Sequence, residues 1–169
     1  MATANVNLSN YDKASLPHAA GFRVSIVCST WNQSITDGLL KGCVDALEDI
    51  GVAADSIEVR RVPGSFELIY GCKHAQRSSV KGEGKPHVVI AIGSLIRGET
   101  AHFDYVAQGV TQGMVELNLN DHCPVVYCVL TDNTMEQSIA RSGGAHGNKG
   151  VEAAVTAIHM AQLFTERAY

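Results

Sequence analysis

Four apolar segments of strand length alternate with amphipathic segments of helix length along this chain, and this alternation limits the possible folds more than any other feature. The first apolar segment, residues 22–28, is followed by apolar residues at helical spacing up to Ile50. Residues 87–92 are apolar almost throughout, as is typical of a parallel strand covered on both faces. The pattern predicts an α/β fold with a parallel sheet.

Local signals give the expected boundaries of these elements. Residues 34–37 (SITD) fit a capping box at the start of the first helix, and Gly51 stands where a helix end favours glycine. Residues 93–101 are expected to form a loop. We predict strands at 22–28, 56–62, 87–92 and 124–130, and helices at 34–50, 66–77, 103–117, 134–141 and 151–166.

Length and composition predict one domain rather than several. The chain has 169 residues, of which 46% are hydrophobic and 18% charged, so it resembles neither disordered nor coiled-coil chains. Residues 1–21 are polar and lack periodicity, so we expect an arm, either disordered or bound to a neighbouring chain, outside the core of a domain spanning 22–169.

Apolar runs are far shorter than the roughly 18 residues that span a bilayer, and no secretory signal is visible. We expect a cytoplasmic protein without a membrane partner.

Charge and cysteine spacing exclude two further classes of function. The net charge is −4 and the 13 Lys and Arg residues are scattered, whereas nucleic-acid binding favours a dense basic face. The five cysteines form no CxxC pair and no zinc-knuckle spacing, and no HExxH is present. We expect reduced core cysteines and no metal site.

The candidate site follows from the fold, because ligands bind open parallel sheets at the carboxyl ends of the strands. The connections at those ends are residues 29–33, 62–67, 93–102 and 131–134. Together they carry an indole, a carboxamide, a hydroxyl, a carboxylate, a guanidinium and an imidazole, namely Trp31, Asn32, Ser65, Glu67, Arg97 and His102. This set suits a polar, planar, phosphorylated small molecule.

Each of these features also has a purely structural explanation. Residues 93–102 could hold an anion on backbone amides, or be an ordinary strand-to-helix turn. His102 could exchange protons or cap a helix, and Trp31 could stack on a heterocycle or cover the sheet. Arg141 and Lys149 bracket a glycine-rich stretch that could clamp a phosphate or be a solvated loop between helices. The residues alone leave these alternatives open.

Five motifs in order, however, resemble the lumazine synthase family (6,7-dimethyl-8-ribityllumazine synthases). The resemblance covers nearly all of the chain beyond the arm. It rests on TWN at 30–32, VPGSFEL at 62–68, AIGSLIRGETAHFDYV at 91–106, PVVYCVLTDNTMEQSIARSGG at 124–144 and GNKG at 147–150. No single motif is decisive, but five at matching spacing are strongly specific.

The resemblance implies a flavodoxin-like three-layer fold with a four-stranded parallel sheet, and a known reaction. 5-Amino-6-(D-ribitylamino)uracil condenses with 3,4-dihydroxy-2-butanone 4-phosphate to 6,7-dimethyl-8-ribityllumazine, releasing phosphate and water. The resemblance implies no cofactor. It makes His102 the acid/base residue and assigns Trp31, Asn32, Ser65, Phe66, Glu67, Leu95, Ile96, Glu99, Thr100, Tyr127, Arg141 and Lys149 to substrate binding.

Within that set, the resemblance divides the roles by substrate. Trp31 matches the ring that stacks on the pyrimidine, in a pocket lined by Leu95 and Ile96. Ribityl contacts match Asn32, Ser65 and Glu67. The phosphate site matches Arg141 and the backbone amides around Glu99 and Thr100. Glu99 replaces a small residue of many relatives, and its carboxylate would repel phosphate unless it turned outward; Trp31 and Tyr127 replace phenylalanines and remain aromatic.

The resemblance also implies a homo-oligomer in which neighbouring copies share each site. Trp31 and His102 would come from one subunit, and Tyr127, Arg141 and Lys149 from the next. The assembly would be a pentamer or a 60-subunit shell, with riboflavin synthase as a candidate partner. The alternatives are a flavin- or lumazine-binding protein without turnover, and a shell protein with a vestigial site. His102 together with Arg141 disfavours both, because holding a ring needs neither group.

Overall fold

Strands and helices alternate as the sequence predicted. The computed structural model describes residues 7–120 and 123–166. Among these, no helix is long and apolar enough to cross a membrane. The main elements, in chain order, are β1 (Val24–Ser29), α1 (Gln33–Ile50), β2 (Ile57–Val62), α2 (Leu68–Arg77), β3 (Val88–Ile96), α3 (His102–Asn120), β4 (Val125–Asp132), α4 (Met135–Arg141), β5 (Ser142–Gly144), β6 (Gly147–Asn148) and α5 (Lys149–Glu166).

The four long strands form one parallel sheet in the order β2-β1-β3-β4. From β1 the chain first adds β2 on one side, and then crosses to place β3 on the other side of β1. The strand order therefore reverses between β1 and β3, and a crevice opens at the carboxyl ends of strands at such a reversal. The predicted α/β fold with a four-stranded parallel sheet is confirmed.

Helices cover both faces of this sheet. Successive strand residues point to opposite faces, and in β1 both Ile26 and Val27 are fully buried. Ile26 packs in a core with residues of α1 and α5, such as Leu39 and Ile158, whereas Val27 packs with residues of α2 and α3. The result is a three-layer arrangement in which the central strands β1 and β3 are buried on both faces.

The cysteines lie in the core, as predicted. All five are buried. Burial raises the pKa of the Cys28 thiol to about 11 and that of the Cys128 thiol to about 12. At neutral pH these sulfurs are thiols rather than nucleophilic thiolates, which agrees with a packing role.

The start of α1 differs from the prediction. The capping box at 34–37 is wrong: α1 begins at Gln33, after Asn32, which has a left-handed backbone (φ 55°). The Asn32 carboxamide makes no cap; its Nδ2 donates to the Ser94 carbonyl oxygen at 3.1 Å. Asp37 instead accepts a 2.7 Å hydrogen bond from Arg61. The contact with Ser94 ties the β1–α1 connection to β3 and outweighs the local capping signal.

The third strand continues further than its apolar run suggested. The loop predicted at 93–101 is wrong in its first half, because β3 runs to Ile96 and pairs with β4 as far as Asp132. Gly93 therefore lies in the sheet, where an added Cβ would lie 2.7 Å from the Ser65 hydroxyl oxygen. Only residues 97–101 connect β3 to α3.

The segment before β1 packs on its own chain in the part that the structure describes. Ala19 is 2% exposed and belongs to the core, so the prediction that the arm lies outside the core is wrong there. The Leu8 N–H donates to the His146 carbonyl, and the Tyr11 hydroxyl donates to Asp49 at 2.7 Å. Residues 1–6 lie outside the described residues, and the domain boundary at residue 22 stays a prediction.

At the amino ends of the strands, the histidine before β3 makes stability depend on pH. His87 lies between the rings of Phe22 and Phe164, and its Nδ1 accepts the Arg23 N–H at 2.8 Å. Burial, and then the charge of Arg23, lower the pKa of His87. The unfolded chain therefore gains the proton first, near pH 6.5, so this contribution is complete above that pH and is lost as the pH falls below it.

We expect His87→Asn, whose amide oxygen can accept the same N–H, to flatten this dependence. The free energy of unfolding of the parent should fall more steeply than that of the variant between pH 7 and 5, by at most about 1.4 kcal/mol per pH unit for one group. Urea unfolding across that range measures the difference. Parallel curves for parent and variant would contradict the assignment to His87.

Candidate functional site

A groove of about 590 Å³, here called the indole groove, lies at the carboxyl end of the sheet. It opens beside the point where β1 and β3 diverge, where the topology predicted a crevice. Its walls come from the connections after β1 and β2, the end of β3 and the first turn of α3. The lining residues are Trp31, Asn32, Ser65, Phe66, Glu67, Ser94, Leu95, Ile96, His102, Tyr105 and Val106.

The indole that gives the groove its name rests against backbone. The Trp31 side chain is exposed (65% for the residue), and the backbone N–H of Trp31 donates to the Pro63 carbonyl at 3.0 Å. Gly64 lies beneath the ring: a Cβ added there would lie 2.6 Å from indole atoms Cε3 and Cζ3 and 2.8 Å from Glu67 Oε2. The same Glu67 oxygen accepts the Gly64 N–H at 3.0 Å. The glycine thus sets the positions of both side chains.

Two buried hydroxyls line the groove without protein partners. Ser65 and Ser94 are each 3% exposed, and within the described residues neither Oγ has a hydrogen-bond partner. A buried polar group without a partner is costly, so these hydroxyls can each bind a polar atom of a ligand. Ser94 was absent from the sequence prediction, although its neighbours Leu95 and Ile96 were included.

His102 is the first residue of α3 and reaches the groove together with two residues that sequence reasoning missed. Tyr105 and Val106 follow His102 at i+3 and i+4, the spacing of neighbours on one helix face. That spacing was the available signal. The backbone N–H of His102 donates to the Thr100 hydroxyl at 3.4 Å, and within the described residues the imidazole makes no hydrogen bond to the helix backbone.

Glu99 and Thr100 lie in the short connection before α3 and are exposed. Within the described part of the chain, the backbone N–H groups of Gly98, Glu99 and Thr100 donate to no acceptor, and the Glu99 carboxylate has no ion-pair partner. Free amides at the start of a helix favour an anion. The carboxylate of Glu99 opposes one unless it turns away.

Arg141 lies elsewhere, in a second cavity of about 510 Å³, here called the arginine groove. The groove also contains Asp132, Glu136 and His146. Arg141 is half-buried, and in the described residues its guanidinium has neither a hydrogen bond nor an ion pair. The stretch that follows is not a plain loop, because β5 and β6 form a small hairpin held to Leu8 through the His146 carbonyl.

Tyr127 and Lys149 are separate from both grooves. Tyr127 lines a third cavity of about 700 Å³, here called the tyrosine groove, between β4 and α3. Its hydroxyl lies 3.3 Å from that of Thr111, and burial raises the pKa of Tyr127. Lys149 begins α5, and its ammonium pairs with Glu152.

One chain therefore brings together eight of the thirteen candidates and leaves five outside. The eight in the indole groove are Trp31, Asn32, Ser65, Phe66, Glu67, Leu95, Ile96 and His102. Glu99 and Thr100 border it in sequence, while Tyr127, Arg141 and Lys149 lie in other places. In the described part of the chain, no group of three or more His, Cys, Asp or Glu side chains could hold a metal ion.

The contact between Gly64 and the indole leads to a prediction for Gly64→Ala. The added methyl must displace the exposed ring, so ligand stacking should weaken while the fold, which does not depend on that ring, should keep its melting temperature. Aromatic stacking contributes roughly 0.5–1.5 kcal/mol, so we expect the KM for the pyrimidine substrate that the resemblance implies to rise about fivefold. Trp31 is the only tryptophan, so its fluorescence reports the displacement directly.

Trp31→Phe is the matched control, because it keeps an aromatic ring over an unchanged Gly64. It should retain most of the affinity for the pyrimidine. Unchanged tryptophan fluorescence and an unchanged KM in Gly64→Ala would show that the ring does not depend on this glycine.

The geometry defines a class: a parallel α/β protein with a small-molecule groove where the strand order reverses. Comparisons with known proteins identify one family within this class. The family model described as 6,7-dimethyl-8-ribityllumazine synthase matches residues 21–165. A relative of that name from Christiangramia forsetii is 55% identical over 163 residues, covering 96% of this chain and 95% of its own. Relatives of the same name from Flavobacterium psychrophilum and Porphyromonas gingivalis are 55% and 50% identical, each over 96% of this chain and over 84% and 98% of their own.

These matches run through both cores and through the strand ends that form the indole groove. The chain belongs to the 6,7-dimethyl-8-ribityllumazine synthase family. The resemblance found in the sequence is confirmed.

Proposed function

We propose that this chain is the transferase that its family name describes. It condenses 5-amino-6-(D-ribitylamino)uracil with 3,4-dihydroxy-2-butanone 4-phosphate to 6,7-dimethyl-8-ribityllumazine, releasing phosphate and water, in riboflavin biosynthesis. One observation carries the proposal: an indole, a helix-start imidazole and two hydroxyls that have no partner within the described residues come from separate segments of the chain and line one groove. Such a groove can stack a flat ring, bind its polar chain and exchange protons.

The pyrimidine occupies the indole groove. Trp31 stacks on the ring, and Phe66, Leu95 and Ile96 supply apolar walls, which suits a flat heterocycle. The ribityl hydroxyls bind the polar groups beside it, which are Asn32, Ser65 and Glu67.

His102 moves protons as the two substrates join. An amine attacks a ketone, and the steps that follow expel phosphate and water, so groups must gain and lose protons near neutral pH. His102 lines the groove and its imidazole is exposed. Holding two substrates together contributes much of the rate, because it replaces an encounter in solution by a fixed geometry.

The phosphate binds between the unpaired backbone amides at Glu99 and Thr100 and the guanidinium of Arg141. A guanidinium without a protein partner can give a phosphate two parallel hydrogen bonds. Because Arg141 lies outside the indole groove of its own chain, we propose that a neighbouring copy supplies it. Tyr127 and Lys149 come from that same neighbour.

This arrangement requires a homo-oligomer with head-to-tail contacts. In a closed ring every copy presents its indole groove to one neighbour and its Arg141 to the other, so each site is complete. A pentamer or a 60-subunit shell meets this requirement. A cytoplasmic location and a physical association with riboflavin synthase stay predictions.

Mixing the protein with both substrates tests the function directly. We expect the absorbance and fluorescence of the lumazine to appear at a rate proportional to protein concentration, and release of inorganic phosphate at the same rate. Reactions lacking either substrate, or containing Trp31→Ala/Arg141→Ala protein, are the controls. Binding of the lumazine without its formation would identify a ring-binding protein instead.

A further inference from the structure

An arginine clamp closes the connection between β3 and α3. Arg97 directly follows β3, and its guanidinium donates two hydrogen bonds to Asp104 in the first turn of α3, with Nη1–Oδ2 at 3.0 Å and Nη2–Oδ1 at 2.6 Å. Its Nε donates to Asn133 Oδ1 at 3.1 Å, and its Cζ lies 4.3 Å from the centre of the Phe103 ring. One side chain thus joins the ends of β3 and β4 to the start of α3.

This pair differs from an ordinary surface ion pair. Exposed pairs contribute little unless their geometry is bidentate or several groups form a network, and this pair meets both conditions. Hydrogen bonding between the partners raises the pKa of Arg97 and lowers that of Asp104, so both stay charged at neutral pH. The Arg97 N–H also donates to the Asp132 carbonyl at 3.0 Å, which fixes the backbone from which the clamp extends.

Few contacts fix the four residues of the loop that the clamp spans, residues 98–101. All four are exposed, and an added Cβ on Gly98 would meet no atom within 4 Å. Within the described residues, this loop accepts three hydrogen bonds. The backbone N–H of His102 donates to the Thr100 hydroxyl, and the backbone N–H groups of Asp104 and Tyr105 donate to the Ala101 carbonyl. The position of the loop therefore depends on its two ends, which the clamp joins.

The clamp and the groove lie on opposite sides of the same helix turn. His102, Tyr105 and Val106 line the indole groove, whereas Arg97 and Phe103 line the tyrosine groove. Because His102 and Asp104 belong to one turn of α3, a rotation of that turn that broke the Asp104 contact would also move the imidazole. The sequence placed Arg97 among the ligand groups at the strand ends, but Arg97 does not line the indole groove.

We propose that Arg97 and Asp104 are positioning residues, which hold the loop 98–101 and His102 in the geometry that the condensation requires without touching the pyrimidine. The inference rests on the proposed function, since it assigns a purpose to the roles proposed for His102 and for the loop amides. It adds to that function a pair of residues outside the groove.

Four variants test the pair: Arg97→Gln, Asp104→Asn, their double variant and Arg97→Lys, which keeps the charge but not the planar fork. Asp45→Asn is the matched control, because it also removes an exposed helix carboxylate paired with a cation, Lys41. Two quantities are measured: amide hydrogen exchange of segment 98–105, which needs no reaction, and kcat and KM for both substrates.

We expect faster exchange of segment 98–105 and a kcat about tenfold lower in Arg97→Gln and in Asp104→Asn, because small misplacements of reacting groups are costly. The KM for the ribitylaminouracil should stay within about twofold. The double variant should resemble the worse single variant, since one unit is lost in each case. Arg97→Lys should lose most of the same kcat, and Asp45→Asn should change neither quantity.

Different outcomes would refute the positioning role of the clamp and the proposed function. Unchanged exchange in Asp104→Asn, or faster exchange with an unchanged kcat, would overturn the positioning role. A raised KM for the butanone phosphate in Arg97→Gln alone, with Asp104→Asn like the parent, would make Arg97 a substrate contact and also overturn it. A parent that forms no lumazine would refute the proposed function. The exchange measurement would still show whether Arg97 and Asp104 hold segment 98–105 in place.

Discussion

Arg141→Ala is expected to raise the KM for 3,4-dihydroxy-2-butanone 4-phosphate by about 10- to 100-fold and to leave that for the ribitylaminouracil within about twofold. A charge-assisted hydrogen bond contributes roughly 1.5–3 kcal/mol, which corresponds to this range. Arg141 is half-buried and, among the described residues, has no protein partner, so removing it leaves no other charge unpaired. Initial rates at varied concentrations of each substrate measure the split.

Inorganic phosphate gives a second readout of the same residue. It should compete with the butanone phosphate in the parent and much less in Arg141→Ala. Arg23→Ala is the matched control, because Arg23 lies just before β1, at the amino ends of the strands, where its Nε donates to the Lys85 carbonyl. Equal weakening of both substrates in Arg141→Ala would show a structural role.

His102→Ala should lower kcat by up to about 100-fold, with both KM values little changed, because a general acid/base contributes to the transition state rather than to binding. The decrease is limited by how much of the rate comes from holding the substrates together. His102→Gln keeps hydrogen-bonding groups but cannot take up a proton, so it should resemble His102→Ala. The measurement is kcat across pH 6–8.

His159→Ala is the control for a lost imidazole, since His159 is exposed on α5, outside the residues that line the indole groove. It should behave as the parent. A His102→Ala protein with the parent's kcat throughout pH 6–8 would remove His102 from the mechanism.

The fold was predictable from the sequence because its signals are local and repeated. The alternation of apolar runs and helical spacing predicts the order of elements, and residues 87–92 predict burial on both faces, as Ile90 and Ala91 show. The boundaries that failed depend on distant residues. Asn32 bonds to Ser94 across 62 positions, and β3 extends to Ile96 because β4 pairs with it.

The site was predictable in part, for a related reason. The rule that strand ends gather ligand groups identified Trp31, Ser65 and His102, which one groove contains. Tyr105 was missed, although its spacing from His102 marks the same helix face. The sequence could not place Arg141 relative to that groove, because their separation depends on tertiary packing and, in our proposal, on a second chain.

Mixed assemblies test that proposal most directly. Trp31→Ala/His102→Ala disables the indole groove, and Arg141→Ala disables the phosphate contact; activity is measured at a butanone phosphate concentration below the parent's KM, where each variant alone is nearly inactive. If equal amounts of the two proteins are unfolded and refolded together, neighbours pair at random, and about a quarter of the shared sites should contain both intact halves. We predict that activity recovers toward that fraction after co-refolding and not after mixing the finished assemblies. Co-refolded mixed assemblies that remain as inactive as the separate variants would contradict the account, because Trp31, His102 and Arg141 would then serve one site within a single chain.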